Sequence, residues 1–70
     1  MPIHFKNPDM MPSDPFILLS YINTKLRDEY PSLEALCEGL DLSKEEITAR
    51  LAAIGYSYER ESNRFAPILP

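Results

Sequence analysis

The run Leu42-Ser43-Lys44-Glu45-Glu46-Ile47 constrains this chain more than any other stretch. Ser43 and Glu46 have the spacing of a capping box, in which the hydroxyl accepts from the Glu46 amide and the Glu46 carboxylate reaches back to the Ser43 amide. Leu42 and Ile47 bracket that box as a hydrophobic staple, which sets the angle at which the chain joins the helix. Ile47, Leu51 and Ile54 carry the apolar face onward, and Gly55 suits the left-handed residue that closes a helix. Upstream, Ser32 can cap a shorter run with Leu33, Leu36, Cys37 and Leu40 on one face. Gly39 near its end helps stop it, and Asp41-Leu42 makes the turn. Ser32–Gly55 therefore predicts a helix, a tight turn and a second helix.

A longer helix precedes this pair. Asp14 is a good N-cap, and Pro15 suits the first helical position, where its missing N–H costs nothing. Pro31 limits the helix to about Tyr30. Phe16, Leu19, Ile22, Leu26 and Tyr30 recur at three- and four-residue spacing over roughly a 120° arc, the width of a core-facing stripe. Ile17, Leu18 and Tyr21 then fall on the other side, where the second half of the helix carries Asn23, Thr24, Lys25, Asp28 and Glu29. That surplus apolar face calls for a cover: Ile3 and Phe5, Ile68 and Leu69, or a second molecule.

After Gly55, Tyr56-Ser57-Tyr58-Glu59 alternates with period two, residues 60–63 are turn formers, and Arg64-Phe65-Ala66 can return. This predicts a β-hairpin with Asn63 at the turn. The expected fold is mainly α: a three-helix helix-turn-helix domain, a reduced winged helix, with a C-terminal β-hairpin. Pro2, Pro8 and Pro12 exclude a useful helix before residue 14. The expected organisation is an N-terminal extension (1–13), the domain (14–66) and a C-terminal tail (67–70). Its core is expected to hold Phe16, Leu19, Ile22, Leu26, Leu33, Leu36, Leu40, Leu42, Ile47, Leu51, Ile54, Tyr56 and Phe65.

Seventy residues make one domain, which buries only about 60% of its unfolded surface. With 44% hydrophobic and 26% charged residues the chain has the composition of a folded protein. Its net charge of −4 and pI near 4.8 lack the basic footprint of a nucleic-acid binder and disfavour anionic membranes. Cys37 is the single cysteine, so no intrachain disulfide forms, as in proteins of a reducing cytoplasm. No apolar run approaches the roughly 20 residues that span a bilayer, and the first residues have no signal-peptide core. A cytoplasmic protein is the expectation.

The inventory for chemistry is poor. His4, the only histidine, lies in the extension and reads as an exposed side chain. Cys37 sits on an apolar face and reads as a small core residue. Glu45 and Glu46 stand at a helix N-terminus, where negative charge is favourable. Glu34 and Glu38, four apart and of like charge, read as a solvated face. There is no metal-ligand motif, and with two glycines no phosphate-binding loop. No catalytic, cofactor or metal residue is assigned, and an enzyme is not expected.

The outward face of the last helix carries Glu45, Thr48, Ala49 and Ala52. Base reading uses Arg, Lys, Asn or Gln at such positions, and Lys44 and Arg50 are balanced by Glu45 and Glu46. Nucleic-acid contacts, were they made, would fall to Lys44, Thr48, Arg50, Arg60 and Arg64. Ala49 and Ala52 instead permit close approach of another helix, and join Ile17, Leu18 and Tyr21 as the expected interaction surface. Lys25, Arg27 and Arg64 form a basic cluster only if the fold unites them, and Lys25–Glu29 reads as an i,i+4 ion pair. Two functions follow: a non-enzymatic protein-interaction module, with a homodimer as one form, or a winged-helix nucleic-acid-binding transcriptional regulator.

Asp14-Pro15-Phe16, Leu19-Ser20, Asn23, Lys25-Leu26-Arg27-Asp28 and Tyr30, followed by Gly55-Tyr56, Tyr58, Asn63 and Phe65, resemble a family of very short bacterial proteins classed as a domain of unknown function (domain of unknown function 4250). The similarity covers about Met11 to Phe65, with residues 1–10 and Ala66–Pro70 departing from it. The resemblance implies a bacterial origin and carries no activity, substrate or site. The second half is more loosely similar to winged helix-turn-helix domains, whose spacing many domains that bind no DNA share.

Overall fold

The computed structural model describes residues 12–68. Three helices are followed by a two-stranded antiparallel hairpin, in the order α1 (Pro15–Asp28), α2 (Leu33–Leu40), α3 (Lys44–Ala52), β1 (Tyr56–Glu59) and β2 (Arg64–Pro67). Every helix starts where a short polar side chain can take its first amides. Asp14 Oδ1 accepts from the Phe16 amide at 2.8 Å and the Ile17 amide at 3.4 Å. Ser32 Oγ accepts from the Ala35 amide, and Ser43 Oγ from the Glu46 amide, each at 3.1 Å. In the Ser43 box the hydroxyl donates in turn to Glu45 Oε1 at 3.4 Å, so the carboxylate at this cap is the neighbour of the one the spacing predicts.

The helix ends differ from expectation in two places. α1 stops at Asp28, short of Tyr30, because Glu29 leaves helical geometry (φ −129°) ahead of the restriction that Pro31 places on Tyr30. Gly39 does not end α2; it lies inside the helix. A Cβ there would stand 2.6 Å from the Tyr30 ring, so glycine is required for that ring to pack on α2. Asp41 takes the left-handed conformation that closes α2 (φ 60°). Gly55 does so after α3 (φ 86°).

The core is built by Leu18, Ile22, Leu26, Leu33, Leu36, Cys37, Ile47, Leu51 and Phe65. Leu19, Tyr30, Leu40, Leu42, Ile54 and Tyr56 pack around it half-buried. The expected stripe of α1 was centred on the wrong line. Leu18 is 0% exposed and Phe16 60%, the reverse of their assignments. Leu18, Ile22 and Leu26 form one i, i+4, i+8 row, and Phe16 stands roughly 120° from Ile22 around the helix. The buried arc is thus turned by roughly 60° from the expected one, which removes Leu18 from the outer face.

The hairpin pairs Tyr56 with Pro67, Ser57 with Ala66, Tyr58 with Phe65 and Glu59 with Arg64. The Tyr58 and Phe65 rings meet at 5.6 Å between centroids. Asn63 adopts φ 52° at the turn, a left-handed conformation that asparagine tolerates better than most residues. The strand extends into the expected tail as far as Pro67. Ile68 then donates its amide to the Gly55 carbonyl at 2.7 Å. Ile3, Phe5, His4 and Leu69 lie outside the described residues.

Candidate functional site

Two asparagines and a tyrosine tie the hairpin to the helices. Phe65 donates its amide to Asn23 Oδ1 at 2.8 Å and accepts from Asn23 Nδ2 at 3.1 Å. One side chain on α1 thus satisfies both backbone groups of a strand residue. In an antiparallel pair, residues whose N–H and C=O point outward alternate with those bonded across the ladder. Two residues along, Pro67 faces the same outer edge and has no N–H to offer. Asn23 and Pro67 therefore close β2 against a further strand.

At the other end, Asn63 Nδ2 donates to the carbonyls of Leu26 (3.1 Å) and Tyr30 (2.9 Å). The Leu26 carbonyl is among the last of α1, which have no partner within the helix, and Tyr30 lies two residues beyond its end. The Tyr58 hydroxyl donates to Asn63 Oδ1 at 2.6 Å and accepts from the Leu33 amide at 3.2 Å, which satisfies the first amide of α2. The end of α1, the start of α2 and the hairpin are thereby one hydrogen-bonded unit. The polar atoms of Asn23, Tyr58 and Asn63 serve the backbone in this unit.

The residues expected to interact do not converge. Leu18 is core, and Tyr21 is half-buried against the core beneath Lys25, whose ammonium stands 5.7 Å from the ring centroid. Ile17 is 58% exposed, and its apolar neighbour in water is Phe16. On α3, Ala49 and Ala52 are exposed, and with Lys44, Glu45 and Thr48 they line a shallow groove of about 420 Å³.

The residues named for nucleic acid are dispersed too. Lys44 Nζ pairs with Glu34 across the α2–α3 turn at 2.8 Å. This hydrogen bond, reinforced by charge attraction, holds the Glu34 carboxyl below its ordinary range and raises the Lys44 ammonium. Arg50 is half-buried and donates to the Pro12 carbonyl at 3.2 Å. Arg60 lies within electrostatic reach of Glu34 and Lys44, while Arg64 faces α1. The basic cluster forms in part: Arg27 and Arg64 line a common groove, whereas Lys25 turns away to Glu29 at 2.9 Å.

That groove lies between α1 and the hairpin, is open to solvent and has a volume of about 610 Å³. Ser20, Asn23, Thr24 and Arg27 form its helical wall, and Ser62, Asn63 and Arg64 the other. Cys37 is a free, buried thiol, and desolvation pushes it above its ordinary range, away from a nucleophile's state. Among the described residues no cluster of His, Cys, Asp or Glu can hold a metal ion, and no helix is long and apolar enough to cross a membrane.

Phe16 as a surface residue and Asn23 as a partner of the hairpin are not legible in helical periodicity. Asn23 does carry one signal, an amide one turn after Leu19 and one turn before Leu26, but its partner is 42 residues away. Asn63 is legible as a turn residue, but its role in closing α1 depends on a partner 37 residues away.

No curated protein and no solved structure matches the chain. Residues 12–65 match the family model described as Domain of unknown function (DUF4250), and the chain belongs to that family.

Proposed function

From membership of a family that carries no assigned activity, we propose that this domain is a small, non-enzymatic protein-interaction module of the bacterial cytoplasm, docking on the solvent face of α1. The observation that supports this most is the pair Phe16 and Ile17, 60% and 58% exposed on the first turn of a helix that Asp14 caps. Burying a side chain of this size contributes about 1.5–3 kcal/mol, and a thin core has little reason to leave two such groups in water. The groove at Ala49 and Ala52 offers a second place for a helix to approach. A winged-helix reader of nucleic acid has less support: of its would-be contacts, Arg50 is half-buried on the Pro12 carbonyl and Lys44 stands beside the Glu34 carboxylate.

The test combines Phe16→Ser and Ile17→Ser. The double variant should melt like the parent, because neither side chain is in the core. It should lose association with itself, measured by sedimentation at millimolar concentration, or with a partner captured by the tagged chain. Retention of every association of the parent would sink the reading.

A further inference from the structure

Phe16, Ser20, Asn23 and Arg27 recur at i, i+4, i+7 and i+11. They therefore share one line along α1, roughly 16 Å long at 1.5 Å per residue. The line begins at an exposed phenyl ring and ends at a guanidinium. Asn23, held down on Phe65, forms the floor between them. Opposite the Arg27 end stands Arg64, and both line the groove of about 610 Å³ together with Ser20, Thr24 and Ser62, whose hydroxyl donates to Glu59 Oε1 at 2.8 Å. Ligand clefts commonly hold about 300–1,000 Å³.

Both arginines are available. Arg27 forks onto its neighbour Asp28 at 2.9 and 3.2 Å, but both side chains are half or more exposed, and such pairs contribute little and exchange readily. Arg64 is exposed and has no ion-pair partner among the described residues. Two arginines line one groove of a chain whose net charge is −4.

We propose that this groove binds a short acidic segment of a partner protein, with carboxylates paired with Arg27 and Arg64 and an apolar side chain reaching beyond the groove, along the same line of α1, onto Phe16. The proposal rests on the interaction-module reading and adds the partner's chemistry. A guanidinium matches a carboxylate through two parallel hydrogen bonds. Because Asn23 and Pro67 close the β2 edge, the segment is held by its side chains and not by strand addition. A nucleic-acid backbone also carries anions, but its binding needs many phosphates neutralised, and two arginines on an acidic chain do not supply that.

The test titrates the isotope-labelled full chain with four probes, followed by amide NMR: acetyl-Leu-Glu-Asp-Glu-amide, its Gln/Asn counterpart, inorganic phosphate and a short single-stranded DNA. The acidic peptide should move the amides of Ser20, Thr24, Arg27, Ser62 and Arg64, and the neutral peptide should move none. Its affinity should fall roughly tenfold in Arg64→Gln, and by a similar factor in about 0.3 M salt. Equal shifts with the neutral peptide, an undisturbed groove at millimolar acidic peptide, or phosphate or DNA moving the same amides as strongly would each overturn the proposal. Both arginines are exposed, so Arg27→Gln with Arg64→Gln should fold, as thermal melting will verify. If that double variant keeps the partner association that Phe16→Ser with Ile17→Ser abolishes, the acidic-segment proposal fails while the module reading stands. If both double variants keep it, both fail.

Discussion

The two ends of α1 solve opposite problems. Its C-terminal end is closed: Asn63 takes the carbonyls of Leu26 and Tyr30, Tyr58 bridges to the first amide of α2, and Gly39 makes room for the Tyr30 ring. Its N-terminal end is open, with a capped first turn that leaves Phe16 and Ile17 in water. The difference teaches where to look for function in a domain this small. The residues with the most hydrogen-bond partners hold it together, and those with fewest are left to meet something else. The polar atoms of Asn23, Tyr58 and Asn63 are consumed by the fold.

This contrast can be broken, and the largest effect should come from the row that is buried. Leu18→Ala should cost about 2–5 kcal/mol, a large share of what a domain of this size has. Phe16→Ala, two positions earlier, should be nearly neutral. Urea unfolding of both variants decides it, and equal losses would restore the stripe centred on Leu19.

The clamp comes next. Asn63→Ala strands two carbonyls and the Tyr58 hydroxyl, and puts alanine at a left-handed position. Unsatisfied polar groups cost about 1–3 kcal/mol, so thermal melting should show a clear loss. Asn63→Gly, which tolerates that backbone, should recover only the conformational part. Full recovery by glycine would mean that the side-chain bonds to α1 contribute nothing.

The smallest effect lies on the surface. Lys44 lowers the folded-state pKa of Glu34, so the pair stabilises the fold above the ordinary carboxylate range. That contribution fades as pH falls through the lowered folded value. In low salt Lys44→Gln should melt slightly below the parent near pH 6, and the difference should vanish toward pH 3 and at high ionic strength. A gap that widens in acid would contradict the pairing.

Much of this fold was legible in the chain because its signals are local. Asp14-Pro15, Ser32, Ser43 with Leu42 and Ile47, and Gly55 each act within a few residues. They determined three helix starts, the turn between α2 and α3, and the run into the hairpin. Composition and motif content offered no residue for catalysis. The family pattern too was carried by residues visible in sequence.

Only the tertiary structure decided which side of α1 is inside. Its apolar residues cover so much of the first two turns that a stripe through Phe16 and Leu19 and a row through Leu18 and Ile22 satisfy helical periodicity alike. The choice is made by where α2, α3 and Phe65 stand. The same holds for Asn23 with Phe65 and Asn63 with Leu26, bonds spanning 42 and 37 residues, and for the groove that Arg27 and Arg64 both line. Caps and turns are energies of neighbouring atoms along the chain. The rotation of a helix and the convergence of two arginines depend on distant atoms, so they arise when the elements pack.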